Sequence, residues 1–391
     1  MTTTGVRDTG NLSGRRYDMS DVVNVLNVAR YPLLAILTNA GRDLASGKGK
    51  ALKKKETTDP EFKWYEDDFG SREATIAASQ TVDPDASTKT FDVAAGQGAR
   101  FRARDVIQFL TNKWTFEVTA VSGDTITIGA ELGGASGSGV DVSATSVWII
   151  GNANEEGAGL RSIKSTAPVE KVGYAQIFRT PFGVTNTSKQ TQTLIRENDL
   201  DFQRRKGGIE HMVDIERAFL FGKKAKITSG THPKRFTNGI INSISTYATA
   251  NVDTQAEFDA AMETAFKYGN TEKYMLASAA MVTMINSWAQ AKVQINQSER
   301  TFGLQIFDYV TPHGTLHIIK HDLLTGTPYG NYGIILDMEA LTYRYLSGRD
   351  TKLLTNRQGN DEDQVIEEYL TEAGLQMESE QRHAVVSKAA L

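Results

Sequence analysis

The stretch TLIRENDLDFQRRKGGIEHMVDIERAFLF, residues 193–221, places Leu194, Leu200, Ile209, Met212, Ile215, Phe219 and Leu220 at helical spacings, with Gly222 as the stop. It reads as one long helix. Gly207-Gly208 interrupts it, and two interior glycines together cost about 2 kcal/mol relative to alanine, so a kink or split is expected there. Downstream, TNGIINSI (237–244) leads into a helix over 254–268, capped by Thr254 or Asp253, and an Ala- and Met-rich helix over 278–291. The runs FGLQIFDYV, TLHIIK, YGIILD and ALTYRYL follow as strands of an α+β lobe, and LQMESEQRHAVVSKA (375–389) reads as the last strand.

Upstream of the long helix the character is extended. KVGYAQIFRTPF (171–182) and EFKWYEDDF (61–69) are strand-like. Between them, residues 90–151 hold the short β-rich runs FRARDVIQFL, WTFEVTAV, DTITIGAEL and VDVSATSVWII. Ser122-Gly123-Asp124 joins two Val/Thr/Ile runs as a hairpin would. The simplest organisation is a small all-β module inserted into a long two-stranded loop. At the start, SDVVNVLNVARYPLLAILT (20–38) reads as a helical arm interrupted at Pro32, and GRDLASGKGKALKKKETTDP (41–60) as a Gly- and Lys-rich connector with little to bury.

Composition narrows the function. The chain has 43 Lys plus Arg against 47 Asp plus Glu, a net charge of −4, which argues against a broadly basic nucleic-acid binder. It has no cysteine, so disulfides, thiolate metal sites and cysteine nucleophiles are excluded. No apolar run approaches membrane-spanning length, and the first twenty residues lack the apolar core of a signal peptide.

The chemical-looking motifs fail on spacing. His313, His317 and His321 in HGTLHIIKH sit in a strand-like run, where residues four apart are about 13 Å from each other, too far to share an ion. GRDLASGKGK (41–50) has five residues between Gly41 and Gly47-Lys48 and Gly49 where a phosphate loop needs Ser or Thr. GGASGSG (133–139) runs from strand to strand, leaving no helix N-terminus for a pyrophosphate. The one dense basic run, Lys48, Lys50, Lys53, Lys54 and Lys55, is a candidate DNA-facing surface, set against the plain alternative of a hydrated connector.

The order of parts, carried by SVWIIGNANEEGAGL (146–160), YAQIFRTPFGVTNT (174–187), HMVDIERAFLFGKK (211–224) and TNGIINSI (237–244), resembles the Hong Kong 97 (HK97-like) fold of tailed-bacteriophage major capsid proteins, in the branch with a β domain inserted in the extended loop. The resemblance implies an α+β subunit with an N-terminal arm (1–60), an extended loop (61–89 and 152–192) and an inserted β domain (90–151). It further implies a spine helix with part of a peripheral domain (193–252), an axial domain (253–350) and a return to the peripheral domain with a C-terminal strand (351–391). It implies a structural protein, not an enzyme, without cofactor or metal, that self-assembles into the hexamers and pentamers of an icosahedral head around double-stranded DNA held without sequence specificity. Portal, scaffolding and decoration proteins would be its other partners and no membrane would be involved. It would be located in the virion, after assembly in the bacterial host cytoplasm. Two alternatives share features: an encapsulin-like nanocompartment shell, disfavoured by the large β insertion, and a phage tail or adhesin component, disfavoured by the single β module and the long helix after it.

Overall fold

The computed structural model describes residues 32–34, 53–85, 89–134, 137, 139–191, 199–292 and 306–389. The chain forms two compact units, one of residues 65–170 and one of the remainder.

The smaller unit is built on a six-stranded sheet, in spatial order Glu73–Thr75, Ser146–Asn152, Asp105–Phe109, Thr115–Ser122, Thr125–Glu131 and Lys89–Asp92. Alternation decides its inner face: along Asp105–Phe109, Ile107 and Phe109 are buried while Val106 and Gln108 are only partly so. Phe109 centres the core, edge-on to Phe91 at 5.2 Å and to Phe116 at 5.5 Å between ring centroids. The expected hairpin is present, with Ser122 opposite Thr125 and Gly123 at φ +62°. The sheet takes in Glu73–Thr75, which lies N-terminal to the span 90–151 read as the β module, because a three-residue edge strand carries too little alternation to be seen in sequence.

The larger unit contains two sheets. The first runs Lys53–Thr57, Leu341–Leu346, Gln364–Met377 and Gln176–Thr185, with Lys352–Leu354 also paired to Gln364–Met377. The second runs Ala248–Thr249, Ala384–Ser387, Tyr332–Leu336, Glu272–Ala277, Gly314–Lys320 and Ile306–Thr311. Both faces of the second sheet are covered: Leu276, Ile319 and Ile334 pack with Ile215, Phe219 and Leu220 of the long helix, whereas Met275, Ile318 and Ile335 pack with Phe258, Met262 and Met281 of two shorter helices. Double-sided burial is why these strands read as near-continuous apolar runs. Leu33 and Leu34, within the run read as a helical arm, are buried in the first of these cores.

Several expectations are corrected. The long helix is continuous from Asp199 to Phe221 despite Gly207-Gly208. The two glycines serve close packing: a Cβ on Gly207 would lie 3.0 Å from the Phe182 ring, and one on Gly208 3.4 Å from that of Tyr369. Residues 53–57, read as connector, form a strand parallel to Leu341–Leu346, whose edge supplies the pairing that their own sequence cannot call for. The final segment is two strands. LQM ends the 14-residue strand Gln364–Met377, Ser379 turns the chain at φ +51°, and Ala384–Ser387 starts afresh in the other sheet. Gln176–Thr185, which the resemblance puts in the extended loop, is a full member of the first sheet, paired over ten residues with Gln364–Met377. The helix expected to run to Tyr268 ends at Ala265; its cap is Thr254, in a capping box with Glu257.

Candidate functional site

With no catalytic spacing in the sequence, the candidate site is a surface, the extended segment that begins at Glu61–Glu66 and returns at Val169–Tyr174. These two strands pair with each other as its legs.

Its footing is a built structure. Phe62 is 5% exposed and its ring lies where side chains of Gly173 and Gly374 would be, a Cβ on Gly173 falling 2.2 Å from the ring. Only glycine admits this approach. The Arg344 guanidinium sits 5.8 Å from the centre of the same ring. Glu61 beside it accepts from Lys226 and, at 3.4 Å, from Arg235, and the Lys226 hydrogen bond is the main cause holding its carboxyl below the usual glutamate range. Lys224 Nζ donates to the Val172 carbonyl at 3.2 Å, fixing the other leg.

The first sheet beneath the long helix is held by buried carboxylates. On the helix side of Gln364–Met377, Glu367 receives two 2.6 Å bonds from Arg204, and Thr371 Oγ1 lies 2.7 Å from His211 Nε2. The other ring nitrogen of His211 is 2.9 Å from Thr180 Oγ1; burial lowers the pKa of this imidazole and keeps it neutral. On the opposite side, Glu368 pairs with Arg179 at 2.7 Å and Glu372 with Arg349 at 2.6 Å. Arg204 and Arg179 bind bidentately and Arg349 through Nε, satisfying carboxylates that would otherwise be costly to bury. Sequence reading missed this set; the available signal was a strand in which Glu and Thr recur four positions apart on each face, Glu367 with Thr371 and Glu368 with Glu372, within QVIEEYLTEAGLQM.

Away from the footing, the segment exposes large apolar side chains on irregular backbone: Phe69 is 98% exposed, Leu160 fully exposed and Ile163 94%. Such side chains gain no burial where they stand.

The sequence candidates separate. Lys48 and Lys50 lie outside the described residues. Lys53, Lys54 and Lys55 fall in one strand, where Lys54 is committed to Asp350 and lies over the rings of Tyr343 and Tyr345 at 5.4 and 5.0 Å, while Lys55 is exposed. The three histidines have different surroundings: His317 Nδ1 bonds Asp308 at 2.7 Å, His321 Nε2 bonds Glu216 at 2.8 Å, and His313 is exposed on a turn. Among the described residues no group of three His, Asp or Glu side chains could hold a metal ion. No helix among them is long and apolar enough to cross a membrane.

Residues 2–390 match the family model described as SU10 major capsid protein. The major capsid protein of Pseudomonas phage PaMx41 is 24% identical over an alignment of 258 residues that covers 62% of this chain and 62% of that relative, so the chain spans less than two thirds of the curated relative it matches. Among solved structures, the capsid of Myoviridae phage XM1 aligns over 98% of this chain and 99% of its own at 9% identity, with a TM-score of 0.46. The SrpI encapsulin of Synechococcus elongatus PCC 7942 aligns over 56% of this chain and 75% of its own at 11% identity, with a TM-score of 0.44.

Proposed function

We propose, from the premise that this chain belongs to the SU10 major capsid protein family, that it is the shell subunit of a tailed-phage head and works by association alone, without catalytic turnover. Copies close head to tail into hexamers and pentamers, since a heterologous contact that closes makes a ring. The observation that carries this reading is the extended segment: Phe69, Leu160 and Ile163 are almost fully exposed on backbone with little secondary structure, while Phe62 and Glu61 anchor its legs. A segment bearing bare apolar side chains is suited to lie on a neighbour, whose surface removes that area from water at about 25 cal/mol per Å².

In the same reading, residues 1–60 act as an arm, residues 90–151 as a β domain inserted in the extended loop (61–89 and 152–192), and the second sheet with its two shorter helices as the axial part of the subunit. The shell encloses double-stranded DNA without reading its sequence, and the basic run Lys48, Lys50, Lys53, Lys54 and Lys55 is its DNA-facing side, with Lys54 the least free because Asp350 neutralises it. Portal, scaffolding and decoration proteins of the same phage are the other partners, and the host cytoplasm is the place of assembly. Electron microscopy of the expressed full chain, alone and with neighbouring gene products, tests the proposal. Shells, tubes or capsomers are expected; a chain that stays monomeric under every condition overturns it. Replacing Lys53 and Lys55 by Glu is expected to leave empty shells intact and lower DNA retention, and unchanged retention refutes the DNA-facing assignment.

A further inference from the structure

Within the β unit, one concave site of about 360 Å³ collects Arg72, Arg100, Arg102, Arg161 and Lys164 around a single carboxylate, Asp105. The cations are held mainly by neutral acceptors. Arg102 Nη1 donates to the Ser162 carbonyl at 3.0 Å, Lys164 Nζ to the Arg100 carbonyl at 3.3 Å, and Arg100 Nη1 to the Glu73 carbonyl. Asp105 is already spent, accepting from Arg161 Nη2 with one oxygen and from the Arg102 amide at 2.7 Å with the other. Arg161 Nε is buried with no hydrogen-bond partner. Backbone carbonyls orient a cation without cancelling its charge, so the site keeps most of its positive charge, fixed in position and partly desolvated. Phe69 stands at its rim, 98% exposed.

The converse arrangement occurs in the larger unit. Asp361, Glu362 and Asp363 form an exposed acidic run ahead of the strand Gln364–Met377. Glu362 is held by neutral donors, Gly359 N at 3.1 Å and Gln364 Nε2 at 2.7 Å, and Asp363 by Asn186 Nδ2. Fixed carboxylates without counter-cations match fixed cations without counter-anions. A site this small and concave, with an aromatic rim, suits side-chain carboxylates better than the backbone of a duplex.

We propose that the Arg72–Arg100–Arg102–Arg161–Lys164 site is an oxyanion pocket that receives the acidic run Asp361–Asp363 of a second copy of this chain. This rests on the self-assembly argued above, and contributes a charge-locked contact beside the apolar one.

The test is a charge swap in the full-length chain: Arg72→Glu, Asp361→Lys, and both together. Among the described residues neither side chain makes a hydrogen bond, and both are exposed, so thermal melting of the unassembled chain is expected to be unchanged and serves as the folding control. Particles are then dissociated by a salt series. Each single reversal is expected to lower the salt concentration at half dissociation at least twofold, and the double reversal to recover at least half of that loss. Equal salt resistance in all four chains overturns the pocket assignment, as does additivity of the two single effects. An Arg72→Glu effect confined to DNA-filled particles also overturns it, because the occupant is then phosphate. Failure of the unsubstituted chain to form particles would instead remove the shell reading itself.

Discussion

Glu216 Oε1 lies 2.8 Å from His321 Nε2, with both side chains fully buried, and the same carboxylate accepts the backbone amides of Leu33 and Leu34 at 2.8 Å each. One side chain of the long helix thus joins the end of a strand in the second sheet to the helical turn at residues 32–34. Glu216→Ala would remove the buried acceptor shared by the Leu33 and Leu34 amides and by His321 Nε2, so it is expected to cost about 3–5 kcal/mol, read by urea unfolding of the unassembled chain. Glu216→Ala with His321→Ala is expected to cost less than the sum of the two, because each removes the same interaction.

The paired glycines of the long helix make opposite predictions. Gly208→Ala places its Cβ at ordinary contact distance from Tyr369 and gains helix propensity, so it is expected to stabilise by up to about 1 kcal/mol. Gly207→Ala gains the same propensity but presses to 3.0 Å on the Phe182 ring, and is expected to be neutral or destabilising. Thermal midpoints of the two variants check this; equal stabilisation by both would show that the Phe182 contact exerts no constraint.

Acid lability has a specific source in His383. Burial pushes its pKa down from 6.5 to about 3, and its Nδ1 accepts the Asp337 amide, which requires the neutral ring. Because the folded-state value is depressed, the unfolded chain takes up the proton first as pH falls below 6.5, and folding stability declines from there until about pH 3. Above 6.5 this residue adds no slope. The decline is expected to approach 1.4 kcal/mol per pH unit per proton, so about 2 kcal/mol is lost by pH 5. His383→Gln should flatten the pH dependence of urea midpoints between pH 6.5 and 5, and an unchanged slope would exonerate this side chain.

At the footing, Gly173→Ala forces a methyl group into the Phe62 ring. A cost of about 1–3 kcal/mol is expected from overpacking. Phe62→Leu in the same background is expected to recover part of it, measured by denaturant midpoint, because it removes the ring atoms that clash.

Phe69→Ser, Leu160→Ser and Ile163→Ser together remove the exposed apolar side chains without touching a buried contact. The unassembled chain is expected to melt as before and particle yield to fall at least tenfold; normal yield would move the assembly contact elsewhere.

The sequence by itself determined which segments are helix and which are strand wherever the period was long or the turn chemistry explicit. The helical period that ends at Phe221, a cap at Thr254 or Asp253 and the hairpin at Gly123 all follow from local steric and hydrogen-bonding preferences. Their order along the chain was enough to reveal the family resemblance. Only the tertiary structure decided what depends on partners remote in sequence. Lys53–Thr57 becomes a strand because the edge of Leu341–Leu346 accepts it, and Gly207-Gly208 stays helical because Phe182 and Tyr369 occupy the space that side chains would fill. Arg72 and Lys164 form one pocket because the β unit brings them together across 92 positions of chain. Glu216 reads as one more exposed charge on a helix until the fold closes His321, Leu33 and Leu34 around it. Local preferences act over a few residues, whereas the burial of a charge, or the pocket left for one, is fixed by contacts that the one-dimensional pattern does not contain.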